Sequence, residues 1–138
     1  MGGSLPGGSG VPEAKRGSSL PPSASITAVA APENVGVFSL EGDFDLANVP
    51  ELEESLLAVF GSGTPTVVVD LSGVTFLDST MLRAMVTGRR QAEEQGGRLL
   101  LVRPQPMLWR VFEVVALDQV FSSYESLAAA LDAASELE

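Results

Sequence analysis

The 138 residues amount to about one domain. A hydrophobic share of 45% and a mean hydropathy of +0.24 are enough to build a core. Eighteen acidic against eight basic residues give a net charge of −10 and a pI near 4.3, which argues against nucleic-acid binding because that needs basic patches to meet phosphates. With no cysteine and no histidine, disulfides, thiolate nucleophiles, ordinary zinc sites and Ser-His or Cys-His catalytic pairs are all excluded. The composition points to a small cytoplasmic binding module, with no catalytic residue, metal or cofactor, and not to an enzyme.

Residues 1–25 differ from the rest. Gly, Pro and Ser supply 16 of these 25 positions, too little apolar surface to offset ordering entropy, so a disordered tail is expected. No apolar run of seven or more follows its scattered charges, so it does not read as a signal peptide. Lys15-Arg16-Gly17-Ser18-Ser19 in this tail has the look of a basic-directed kinase site, a pattern with many false positives. The body, residues 26–138, carries 17 acidic and 6 basic residues, and all six basic ones are Arg. No stretch approaches the ~18 consecutive apolar residues of a membrane span, so no membrane insertion is expected.

In chain order, Ile26–Ala31 and Val35–Glu41 flank the turn-type tripeptide Pro32-Glu33-Asn34 and read as a hairpin. Leu46–Phe60 reads as a helix. Asn48 stands three residues before Glu51 in capping-box spacing, Pro50 lies in the first turn, and Leu52, Leu56 and Val59 or Phe60 recur at helical spacing. Thr66–Leu71 is a nearly continuous β-branched run, the pattern of a strand covered on both faces. After Ser72-Gly73 come Val74–Leu77 and then Asp78-Ser79-Thr80, opening a helix that runs to about Gln95. Arg98–Arg103 is the next strand, Pro106–Val115 a short helix with Leu108, Phe112 and Val115 inward and Trp109 partly exposed, and Gln119–Phe121 a short strand. Ser123–Leu137 is an Ala-rich final helix capped by Ser122 or Ser123. The order ββαβαβαβα implies one α/β domain with a mostly parallel, mixed sheet of about five strands and about four helices.

Three features bear on function. Asp78-Ser79-Thr80 lies where a buried strand meets a helix. The simplest role of such residues is to cap free backbone N–H groups. The same place also suits a phosphate, since a helix N-terminus presents N–H groups and partial positive charge to anions. On the helix that follows, Leu82, Met85 and Val86 are expected to face the sheet, while Ser79, Arg83, Thr87 and Arg90 share one side. That side reads either as a solvated face or as a docking surface. Asp43 and Asp45, two apart in extended chain, point the same way. They lack the further oxygen ligands a hard cation needs, so surface acidity is the plain reading. Gly61-Ser62-Gly63-Thr64 follows a helix and precedes a strand, the reverse of a phosphate-cradling loop, and the body has no Lys for one.

The segment Asp70-Leu-Ser-Gly-Val-Thr-Phe-Leu-Asp-Ser-Thr-Met-Leu82 resembles the signature of STAS domains, specifically the bacterial anti-sigma factor antagonists. Leu40-Glu-Gly-Asp-Phe-Asp-Leu46 and Leu108–Leu117 are similar to flanking family segments, so the resemblance spans roughly Ile26 to Leu131, the whole folded body. It implies a single STAS domain over residues 26–138 that binds an anti-sigma factor serine kinase and so frees a sigma factor. It also implies phosphorylation of Ser79 by that kinase, which ends binding, and a PP2C-type phosphatase that restores it. Asp43, Asp45, Asp78, Thr80, Met81, Arg83, Thr87 and Arg90 are then the expected partner-binding residues. Two residues depart from the family pattern: Met81 replaces the usual glycine, and Arg83 a small residue, which is expected to change the surface beside the acceptor. The alternatives are a non-phosphorylated STAS accessory subunit of a lipid-transport ABC system, which Met81 favours, and a stress-sensing scaffold.

Overall fold

The computed structural model describes residues 24–136 except 30, 32 and 33. The expectations for a disordered tail and for the Lys15–Ser19 segment therefore lie outside the described residues, as do Pro32, Glu33 and Leu137. The elements are β1 (Ala24–Val29), β2 (Val35–Phe44), α1 (Val49–Gly61), β3 (Thr66–Leu77), α2 (Ser79–Glu94), β4 (Arg98–Val102), α3 (Pro106–Val114), a 3-10 turn (Leu117–Gln119), β5 (Ser122–Tyr124) and α4 (Leu127–Glu136). The described strands form one sheet in the order β1-β2-β3-β4-β5, with β1 antiparallel to β2 and every other neighbour parallel. Strand β1 takes in Ala24 and Ser25, two residues that composition assigns to the tail.

The alternation of side chains along β3 explains the two-sided burial. Val67, Val69 and Leu71 pack with α1, α2 and α3 in one cluster that includes Leu52, Leu56, Met85 and Phe112. Val68 points to the other face, where it joins Val35, Val37, Leu100, Val102 and the α4 residues Ala130 and Ala134. Both faces of the sheet are covered, hence the unbroken Val-Val-Val run.

Several local expectations are corrected. Ser72-Gly73 does not end a strand: β3 is continuous through Leu77, with its register against β2 shifting between Ser39 and Glu41 and again between Gly42 and Asp43. Asp70 folds this bulge by accepting from Ser72 N at 2.9 Å and Ser72 Oγ at 2.7 Å. Glycine suits position 73 because a Cβ there would sit 2.9 Å from Glu41 Cγ and 3.0 Å from the Leu40 carbonyl oxygen. Gln119–Phe121 is not a strand; the chain makes the 3-10 turn after Ala116, whose φ is 64°, and pairs only at Ser122–Tyr124. The last helix begins later than expected, and Ser126 caps it by accepting from Ala129 N at 3.1 Å. Ser122 and Ser123 accept instead from Arg98 and Arg103. Val115 is half exposed, so the inner face of α3 rests on buried Phe112 with half-buried Leu108 and Trp109.

Candidate functional site

The site is built at the C-terminal ends of the parallel strands β2 and β3, the end where α/β sheets place their ligands. Asp43 lies opposite Phe76 and Phe44 opposite Leu77 in the register. The backbone N–H of Asp78 then donates to the Phe44 carbonyl at 3.2 Å, tying the start of α2 to the end of β2. The Asp43–Asn48 loop is held to the same place from within. Asn48 Oδ1 accepts from Asp45 N at 2.9 Å, Asn48 Nδ2 donates to the Asp43 carbonyl at 2.7 Å, and Asp45 Oδ1 accepts from Ala47 N at 2.9 Å. Asn48 is therefore a loop clamp. Its side chain makes no capping bond to α1, against the capping-box reading.

Asp78 is the N-cap of α2. Its backbone is extended and its Oδ1 accepts from Met81 N at 3.1 Å. Ser79 is the first residue of the helix, exposed, and among the described residues its hydroxyl takes part in no hydrogen bond. Of the three candidate caps Asp78, Ser79 and Thr80, the first therefore supplies the cap, and the Ser79 hydroxyl is not used for it. Asp78 and Thr80 are half-buried beside it.

Along α2, Ser79, Arg83 and Arg90 are exposed and Thr87 is half-buried at the margin, so their common side is as the spacing indicates. The inward stripe differs from expectation. Met81, Ala84, Met85, Gly88 and Ala92 are buried, whereas Leu82 and Val86 lie half-buried at its edge. Gly88 permits the close approach: a Cβ there would stand 3.1 Å from Leu56 Cδ1 and 3.2 Å from Leu99 Cδ1. Met81 is fully enclosed in the core. It cannot offer its side chain to a partner, and the departure from glycine at this position changes the core and not the surface beside Ser79. Arg83, by contrast, is exposed and does change that surface. Among the described residues, the only α2 ion pair joins Arg89 to Glu93 at 3.2 Å.

Asp43 accepts from Thr75 Oγ1 at 2.6 Å across the β2–β3 pair, while Asp45 serves its own local turn by accepting from Ala47 N. No group of three or more acidic residues placed to hold a metal occurs among the described residues. Sequence reasoning missed two apolar members of this surface, Leu46 (72% exposed) and Phe76 (47% exposed). The signal for Phe76 was present: Phe76 and Leu77 are adjacent on a strand, so only one of them can point into the core. A groove of about 250 Å³ between α1 and α2, lined by Glu53, Leu56, Leu57, Ala84, Thr87 and Gln91, extends the α2 surface.

The family model described as "Mlab, STAS domain" matches residues 27–134. The chain belongs to the STAS-domain family of bacterial anti-sigma factor antagonists. It is 32% identical over 98 residues to BtrV of Bordetella bronchiseptica, covering 69% of this chain and 84% of that protein. It is also 32% identical over 76 residues to the anti-sigma-B factor antagonist of Staphylococcus aureus, covering 55% of this chain and 70% of that one. Among solved structures, an anti-sigma factor antagonist from Mycobacterium paratuberculosis superposes with a TM-score of 0.74 at 30% identity over 84% of this chain and 97% of that chain. The Bacillus cell fate determinant SpoIIAA in its phosphorylated form shares the fold, with a TM-score of 0.64 at 20% identity over 78% of this chain and 97% of that one. No described helix of this STAS protein is long and apolar enough to cross a membrane.

Proposed function

We propose that this protein is an anti-sigma factor antagonist switched by phosphorylation of Ser79. It acts as a regulator without catalysis of its own: unmodified, it binds a kinase-type anti-sigma factor and so releases a sigma factor. The observation that carries this reading is the exposed Ser79 hydroxyl at the first position of α2, with the capping role taken by Asp78. In the transfer, Ser79 Oγ forms a bond to the γ-phosphorus of ATP, the bond to the bridging oxygen breaks, ADP leaves, and the serine proton passes to a base on the kinase. A PP2C-type phosphatase returns the serine by hydrolysis.

The added phosphate brings about −1.5 to −2 charges to the helix N-terminus, where the dipole and the free N–H groups tolerate it, so the fold persists. At an interface the same group must lose water beside Asp78. A penalty of ~3 kcal/mol weakens binding about a hundredfold at 1.4 kcal/mol per decade. Leu46 and Phe76 supply apolar contact, and Asp43, Asp45, Asp78, Thr80, Arg83, Thr87 and Arg90 the polar rim. Incubation with ATP and the host's candidate anti-sigma kinases, followed by mass spectrometry, tests the assignment. A single phosphate on wild type that is absent from Ser79→Ala supports it; undiminished phosphorylation of Ser79→Ala overturns it. Binding to an ABC-type ATPase with no phosphate acquired from any kinase would instead favour an accessory-subunit role.

A further inference from the structure

Helix α3 carries an apolar surface that the Ser79 region does not use. Among the described residues, four of the seven large apolar side chains that stand exposed, Met107, Val111, Val114 and Val115, belong to α3 or its C-cap, with Met107 80% and Val114 76% exposed. At ~100° per residue, Met107, Val111 and Val114 fall within an arc of about 60°. Phe112 faces away from that arc, buried against Trp109 with ring centres 4.9 Å apart. With Arg110 and Val115, the stripe walls a shallow depression of about 300 Å³. A contiguous apolar face of this kind is the mark of an interaction surface. The strongly negative chain is poorly suited to an anionic bilayer, which attracts clustered Lys and Arg.

The flank of the stripe indicates the occupant. Arg110 and Glu113 are both exposed on the same side of α3, and they form no ion pair with each other. When a second copy is laid antiparallel across the stripe about a two-fold axis, like flanks meet in reversed order. Arg110 of each copy then faces Glu113 of the other, Met107 meets Val114 and Val115, and Val111 meets its own counterpart. We propose that α3 is a self-association face that pairs two copies of this chain in this antiparallel, isologous way. One helix face is small beside the roughly 1,200 Å² that stable complexes bury, so the pair is weak, with a dissociation constant of roughly 10–100 μM.

Sedimentation equilibrium of the full chain from about 5 to 500 μM tests this range. The dimer mass is expected to appear across the series. Met107→Asp should abolish it without unfolding α3, because an acidic residue in the first helical turn suits the dipole. Arg110→Glu should weaken association about tenfold through two like-charge contacts. Arg110→Glu combined with Glu113→Arg should return it to within about threefold of wild type, since the crossed pairs are restored. A wild-type monomer at every concentration overturns the proposal. So does a reversed pair that stays as weak as Arg110→Glu alone. Contacts in methyl NMR spectra between Met107 and Val11 or Leu20 of a monomer would also overturn it, and would assign the face to the N-terminal segment.

Discussion

Removing the two oxygens at the start of α2 one at a time should have opposite consequences. Asp78→Ala deletes the side-chain acceptor of the Met81 N–H, which then keeps only its 3.1 Å contact to the Asp78 carbonyl at a half-buried helix end. Loss of an N-cap acceptor typically costs ~1 kcal/mol, up to ~2, part of it the attraction between the carboxylate and the helix dipole. For a domain of this size that lowers Tm by roughly 3–8 °C. Ser79→Ala removes a hydroxyl that is exposed and bonded to nothing among the described residues, and alanine is the better helix former by a few tenths of a kcal/mol. Its stability should match or slightly exceed wild type.

The two variants should therefore differ by about 1–2 kcal/mol in urea unfolding at constant m. Asp78→Asn keeps a side-chain acceptor and serves as the control, expected within a few tenths of a kcal/mol of wild type apart from the lost charge term. Equal destabilisation by Asp78→Ala and Ser79→Ala would refute the division between cap and acceptor, and with it the argument that Ser79 is free to be modified.

Three further outcomes follow from the same geometry. Met81→Ala should lose ~2–5 kcal/mol, since the side chain is fully enclosed, yet leave the rate of Ser79 phosphorylation by a cognate kinase close to wild type below the unfolding transition; a selective loss of rate would return Met81 to the surface. Asn48→Ala, by leaving the Asp45 N–H and the Asp43 carbonyl without their partner, should cost ~1–3 kcal/mol in thermal denaturation, and an unchanged Tm would contradict its role as loop clamp. Phe76→Ser should fold as wild type does, the ring being half exposed, but weaken binding to the anti-sigma partner by ~1–2 kcal/mol in calorimetric titration; unaltered affinity would place Phe76 outside the interface.

The central strands are legible because short apolar runs bounded by turn residues are too short for a helix: β-branched Thr66–Leu71 follows Gly61–Pro65, and the Leu-rich centre of β4 lies between Gly96-Gly97 and Pro104. The buried stripe of α2 lies off the centre that its large apolar residues mark, for a physical reason. Three of its five members are Ala or Gly, which carry little hydrophobic signal, so larger Leu82 and Val86 at the margin drew the inferred face toward themselves. The cap of α2 was ambiguous because Asp, Ser and Thr are all good caps and stand in succession; only the extended backbone of Asp78 resolves which one serves. Ser122, Ser123 and Ser126 posed the same problem at α4, and there the two earlier hydroxyls bond to arginines across the sheet edge. In the sequence Ser72-Gly73 reads as a break because Ser-Gly is ordinarily a turn signal, while in the β3 bulge glycine answers the close approach of Leu40 and Glu41.

That separation of cap from acceptor is what makes a charge switch at this position compatible with a stable fold. A hydroxyl serving as the N-cap would be held by a backbone N–H, and modifying it would trade helix stability against regulation. Placed one residue later, the Ser79 oxygen carries no structural bond among the described residues, while Asp78 is fixed both through its side chain to Met81 and through its backbone to Phe44. The neighbouring loop is independently clamped by Asn48. A phosphate added there meets a framework whose hydrogen bonds it need not break, and the helix dipole offsets part of its charge. A cost of ~3 kcal/mol for the added charge, as the proposed switch requires, would be felt only when a partner strips water from this surface. Under the proposed switch, phosphorylation of Ser79 should change affinity and leave the conformation of the domain as it was, so the two forms should differ in their partners and hardly at all in their stability.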